Sequence, residues 1–226
     1  MEKNNISPVK NFNIYYLLII DQSGSMMPLR QMAISSINET LQTIRSFNED
    51  RNVSEPFVSI VTFSGDGRKG VKTVRDRISA SCINDFEEKD FVPNGCTPLY
   101  DAIGLSVTSL EKNIRPCDKV MVTIITDGYE NTSEEFSATS IKSIIDMLRR
   151  KGWTFGFIGA NQDAVLTANG LGIRNALNYD CTEEGMSRMS ERMSDSLRCY
   201  EDRIELACKL NRPDLCEDLN DIYVEV

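Results

Sequence analysis

Three short runs are nearly continuous in apolar and β-branched residues: residues 14–20 (IYYLLII), 120–126 (VMVTIIT) and 153–158 (WTFGFI). Strict alternation would mark strands with one wet face. Unbroken runs of this length mark strands buried on both faces, as in the interior of a parallel sheet. A fourth run, residues 56–63 (PFVSIVTF), alternates more and ends at the turn-rich SGDGRKG stretch, which predicts a short edge hairpin strand over residues 71–74.

Helical patterns lie between these runs. Residues 32–47 carry Ala33, Ile34, Ile37, Leu41 and Ile44, mostly three or four apart. Residues 98–114 open on Thr-Pro, with Thr97 expected as the cap and Pro98 as the first helical residue. Thr132-Ser-Glu-Glu135 resembles a capping box, which predicts a helix running on to Lys151 and stopped by Gly152. A short helix over residues 162–169 closes on Gly170. Strands alternating with helices imply βαβ crossovers and an α/β fold: a largely parallel, Rossmann-like sheet with helices on both faces.

The C-terminal portion differs. From residue 183 to about 210, Met186, Met189, Met193, Leu197, Tyr200, Ile204 and Cys208 recur at three- and four-residue steps among charges. That spacing predicts one long amphipathic helix. The simpler expectation is a final helix covering one flank of the sheet; the alternative is a C-terminal half that projects toward a partner or a second copy. The division is therefore residues 1–180, a sheet domain, and 181–226, helix plus acidic tail, packed on the same domain. The tail itself is expected to be loosely held.

Charge and cysteine content narrow the function classes. A net charge of −9 argues against binding nucleic acid or an anionic membrane surface, both of which need clustered Lys and Arg. The N-terminal stretch has no secretory-signal pattern and residues 14–20 are too few to span a bilayer, so a cytoplasmic protein is expected. Seven scattered cysteines, no CxxC pair and no histidine disfavour a zinc site. Reduced, mostly buried thiols are expected, with a disulfide among Cys199, Cys208 and Cys216 left open.

In open α/β sheets, ligands gather beyond the carboxyl ends of the strands. Asp21-Gln-Ser23-Gly-Ser25 follows the first strand, Asp127-Gly-Tyr-Glu130-Asn follows the VMVTIIT strand, and Gly95-Cys-Thr97 precedes the Thr-Pro helix. Together these loops offer two carboxylates and three hydroxyls, an oxygen set that suits a hard cation such as Mg2+. Hydroxyl ligands are neutral, so the ion would stay electrophilic toward an anionic sixth ligand. Asn161 and Asp163, after WTFGFI, could line the same rim, though capping is the expected role of Asn161. Asp101 and Glu130 are expected to be solvated surface groups, and Met26 to pack beneath the loop, a thioether being a poor ligand for a hard cation.

These residues resemble the metal-ion-dependent adhesion site of von Willebrand factor A domains. Asp21-Gln-Ser-Gly-Ser25 is similar to the family's DxSxS motif, Thr97 in GCTPLYDAI to its second-loop threonine, and Asp127 in IITDG to its third-loop aspartate. The resemblance spans roughly residues 13–180. It implies a mostly parallel sheet of about six strands with one antiparallel edge strand, and a divalent ion: Mg2+, with Mn2+ or Ca2+ as alternatives. It further implies that Ser23, Ser25 and Thr97 contact the ion while Asp21 and Asp127 orient it through water. Family members bind protein partners; the intracellular bacterial ones often work beside ring-shaped ATPases or in stress and conflict systems.

The expected function is thus a non-enzymatic, protein-binding adaptor or scaffold whose metal is completed by a partner's Asp or Glu. A second reading is a Mg2+-dependent phosphoryl-transfer enzyme of haloacid dehalogenase type, but those use a DxD pair and Ser23 stands at the second position. The absence of histidine excludes a Ser-His-Asp hydrolase, and no GxxxxGK[ST] loop is present. A third reading makes the terminal helix an oligomerisation element on a metal-regulated scaffold.

Overall fold

The computed structural model describes residues 12–50, 56–160 and 164–210 with Arg212 and Ile222, the side chains of residues 48–50 excepted. Six strands, β1 (Ile14–Asp21), β2 (Pro56–Phe63), β3 (Val71–Ser79), β4 (Lys119–Thr126), β5 (Trp153–Gly159) and β6 (Asn175–Asn178), form one sheet in the order β3-β2-β1-β4-β5-β6. Every neighbouring pair is parallel except β2 and β3. Chain order runs outward from β1 to β3 and then returns to β4. The seam between β1 and β4 is therefore the switch point of the sheet, where diverging crossovers leave a crevice.

β1 shows why its sequence is unbroken. Ile14, Tyr16, Leu18 and Ile20 belong to the core on one face, Tyr15, Leu17 and Ile19 to the core on the other. The first core is closed by α1 (Arg30–Asp50) and α5 (Glu183–Leu210). The second is closed by α2 (Leu99–Glu111), α3 (Ala138–Arg149) and α4 (Ala164–Gly170). This is the von Willebrand factor A-like arrangement that the sequence predicts.

Helix α5 packs along its whole length. Met186, Met189, Met193, Leu197, Tyr200, Ile204 and Ala207 are all buried in the α1 core, and the Tyr16 hydroxyl donates to buried Glu201. Its C-terminal half does not project. Ile222 is buried in the same core and its N–H donates to Asn175 Oδ1 at 3.1 Å; apart from Arg212 and Ile222, the tail lies outside the described residues. Among the described residues no helix is long and apolar enough to cross a membrane.

Several expectations need correction. The edge strand extends to Ser79, and β6 (NALN) has no counterpart in the sequence reading. α3 begins later than Thr132: its cap is Ser137, whose Oγ accepts from Ser140 N at 3.3 Å. Among the described cysteines, Cys82, Cys96, Cys117 and Cys181 are exposed rather than buried, and Cys199 and Cys208 half-buried. Cys216, Asn161 and Asp163 lie outside the described residues.

Candidate metal centre

The five predicted site residues come together at the carboxyl end of the β1–β4 seam. Asp21 is the last residue of β1 and is fully buried; its Oδ1 accepts from Ser23 N at 2.7 Å and its Oδ2 from Thr126 Oγ1 at 2.6 Å. The chain then turns into a 3-10 helix, Gly24–Leu29, anchored by Met26, which is buried as expected. This turn sets Ser23 Oγ 3.1 Å from Ser25 Oγ, and Ser25 Oγ donates to Asp127 Oδ1 at 2.8 Å.

Thr97 joins them from the second loop. A methyl group placed on Gly128 would lie 3.3 Å from Thr97 Oγ1, 3.8 Å from Asp21 Oδ2 and 3.9 Å from Ser25 Oγ. Three oxygens from the first and second loops thus face one small space beside the third, kept open because residue 128 lacks a side chain. Thr97 does not cap α2; the cap position is Pro98 and carries no side-chain cap bond, so the Thr97 hydroxyl is not committed to the helix.

The second loop is held by backbone contacts that only glycine permits. Gly95 has φ +67°, and a Cβ there would sit 2.9 Å from the backbone of Gly65. Gly24 N donates to Gly95 O at 3.0 Å and Gly65 N to Cys96 O at 2.9 Å, tying the first and second loops and the β2–β3 connection together.

The third loop is wired by two carboxylates, Asp101 and Glu130, that are held in hydrogen bonds and are not the solvated surface groups expected. Asp101 is fully buried in α2; its oxygens accept from Glu134 N, Glu135 N and Phe136 N at 2.8–2.9 Å. Glu130 accepts from Tyr100 N, Thr132 N and Ser133 N at 2.7–2.9 Å, and from Ser133 Oγ at 2.6 Å. Asn131 accepts from Thr97 N at 2.8 Å, coupling loops two and three. Thr126, Asn131, Glu130 and Asp101 therefore support the centre. For Thr126, Glu130 and Asn131 the available signal was adjacency to Asp127.

Burial and charge repulsion make this centre costly without a counter-ion. Burial pushes the Asp21 carboxyl up to about 6, against the bonds from Thr126 and Ser23, and the nearby Asp127 charge adds to it. Asp127 is also raised, again by burial first. Among the described residues no cluster of three or more His, Cys, Asp or Glu gathers as a metal site. A cation here would rely on hydroxyl oxygens beside the two carboxylates, the chemistry of Mg2+ rather than of a thiophilic metal.

No family model matches the chain, and no curated protein matches it in sequence. Solved structures do match in fold. Proximal thread matrix protein 1 from the mussel byssus is similar at 18% identity and TM-score 0.57, over 81% of this chain and 48% of that one. Another structure of that mussel protein, with a zinc-occupied MIDAS motif, matches at 19% identity and TM-score 0.54, over 81% of this chain and 48% of that chain. A von Willebrand factor type A protein from Catenulispora acidiphila matches at 14% identity and TM-score 0.50, over 81% of this chain and 43% of that chain. This chain thus spans about half the length of the mussel proteins.

Proposed function

We propose that this chain is a cytoplasmic, metal-dependent protein-binding domain, an adaptor or scaffold and not an enzyme. In this reading a hard divalent cation is held by Asp21, Ser23, Ser25, Thr97 and Asp127, and a partner protein's Asp or Glu completes its shell. The observation that carries it is the convergence of Thr97 Oγ1, Asp21 Oδ2 and Ser25 Oγ on the space beside Gly128. Mg2+ is the favoured ion on ligand hardness, and Mn2+ or Ca2+ fit the same oxygen chemistry. When bound, the ion supplies a fixed positive charge at the rim that can take an anionic ligand.

The chain's own residues set how that ion is presented. Asp21 and Ser23 are buried while Ser25 is exposed, so the set opens to solvent on the side of Ser25 and Gly24. Hydroxyl ligands add no charge of their own and leave the ion attractive to a carboxylate. The phosphoryl-transfer reading fares worse: Asp21 is fully buried, and Ser23 stands where such enzymes carry their second Asp.

The resemblance suggests a ring-shaped ATPase or a component of a stress or conflict system as the partner. Affinity capture from native lysate with the wild type and Asp21→Ala, each with and without EDTA, tests the function. A partner retained equally by all four samples would overturn the metal-dependent reading, as would magnesium-dependent turnover of an aryl phosphate lost in Asp21→Asn.

A further inference from the structure

We propose that the partner presents its acidic residue from an apolar segment, with Met27, Val92 and Tyr129 forming a collar that grips the flanking side chains. The proposal rests on the metal-dependent reading above and adds the chemistry of the partner.

Each collar residue stands beside one of the three site loops. Met27 lies two residues past Ser25 and is 53% exposed, although its neighbour Met26 is fully buried. Val92 is 50% exposed, and its carbonyl accepts from Gln22 Nε2 at 2.7 Å, which places it against the residue after Asp21. Tyr129 lies two residues past Asp127 and is 58% exposed. Single exposed apolar residues are ordinary on a protein surface. Three drawn from separate loops to one rim form the kind of patch that marks an interaction surface.

Charge decides what the patch can hold. None of residues 24–29, 91–98 or 127–131 is Lys or Arg. Of the acidic groups there, Asp127 belongs to the metal set, and Glu130 is occupied by Tyr100 N, Thr132 N, Ser133 N and Ser133 Oγ. A partner carboxylate would therefore meet no cationic side chain from these loops, while Arg30 and Arg68 at their edges are engaged by Glu88 and Glu135. A second carboxylate beside the first would find apolar surface and a chain of net charge −9. The rim thus selects a lone acidic residue between apolar neighbours against a polyacidic tract. Tyrosine and methionine suit the task, since a rigid amphipathic ring and an adaptable thioether bury large areas at modest entropic cost.

The test uses the full chain with saturating Mg2+ and four blocked peptides, followed by NMR titration. Their centres are glutamate flanked by leucines, glutamate flanked by serines, glutamate flanked by aspartates, and glutamine flanked by leucines. The leucine-flanked glutamate peptide is expected to bind about tenfold more tightly than its serine- and aspartate-flanked counterparts. In Met27→Ser/Tyr129→Ser that preference should vanish while Mg2+ affinity, read by calorimetry, stays unchanged. Equal, Mg2+-dependent binding of all three glutamate peptides would overturn the collar and leave the metal reading standing. Glutamine binding as well as glutamate, or no glutamate peptide binding, would overturn both.

Discussion

The Thr126 hydroxyl donates to Oδ2 of Asp21 at 2.6 Å across the seam between β1 and β4. Both residues close their strands, and the bond fixes one carboxylate oxygen at the edge of the space shared by Thr97 and Ser25. It also opposes the upward push of burial on the Asp21 carboxyl. Thr126→Val keeps the shape and removes the donor. Without cation at pH 8 it should cost about 1–3 kcal/mol, the cost of leaving a buried charged oxygen unpaired, and should raise the Asp21 pKa further. Urea unfolding and carboxyl NMR titration of wild type and variant check this; an unchanged Asp21 titration would show that the bond does not hold the carboxylate.

The buried carboxyl gives the cation-free protein a defined pH response. Folded Asp21 keeps its proton up to about pH 6, whereas an ordinary aspartate loses it near 3.8. Between those values the folded state binds more protons, so falling pH favours it; above about 6 both states are ionised and the buried charge is a full cost. A difference of that size corresponds to roughly 3 kcal/mol. Asp21→Asn should therefore stabilise the cation-free chain at pH 8 by up to about that much, with the gain fading toward pH 4. Comparing the two proteins at each pH cancels the other carboxylates. A constant difference from pH 8 to pH 4 would contradict the burial of this charge.

Cation binding should reverse the balance. An ion that binds only the folded chain stabilises it by about 2.7 kcal/mol at a hundred times its dissociation constant. Mg2+ or Mn2+ should raise the melting temperature of the wild type and leave Asp21→Ala and Thr97→Val unmoved. Thr97→Val is the sharper control, because this hydroxyl does not cap α2. A full cation response in both variants would remove these two residues from the ligand set.

The sheet was legible because burial on both faces forces the continuous apolar composition of β1, β4 and β5. β6 was not, being four residues long with an asparagine at each end. The five site residues could be read for a local reason: each sits at or just past a strand end, or at a helix entry, where the loop must turn. Their supports were harder to see. Thr132-Ser-Glu-Glu135 has the composition of a capping box, but the backbone N–H groups of residues 134–136 are taken by Asp101, more than 30 positions earlier in the chain. A local pattern lost to a tertiary contact that no spacing rule encodes.

That contact predicts a large effect far from the ion. Asp101→Ala would leave three backbone donors of a partly exposed loop without the buried acceptor that gathers them, at a cost of about 1–3 kcal/mol. The loop also carries Glu130 and Asn131, and Asn131 orients Thr97, so Mg2+ affinity should fall although Asp101 is not placed among the ligands. Hydrogen exchange over residues 130–136 and calorimetry with Mg2+ give the two readouts. Slow exchange retained in the variant would show that other groups hold the loop.

Helix α5 separates a scaffold role from plain packing. Met186, Met189, Met193, Leu197, Tyr200 and Ile204 together form one wall of the core beneath β1 and α1. Full burial of each such side chain contributes about 1.5–3 kcal/mol, and whole domains are stable by only about 5–15 kcal/mol. Ending the chain after Asp180 should therefore abolish folding altogether, seen as loss of the native circular dichroism and of any cation response. Leu197→Ala, a milder change at a fully buried position, should cost about 2–5 kcal/mol and leave the oligomeric state unaltered by light scattering. A truncated chain that stayed folded and changed only its association would instead make the helix a separable assembly element.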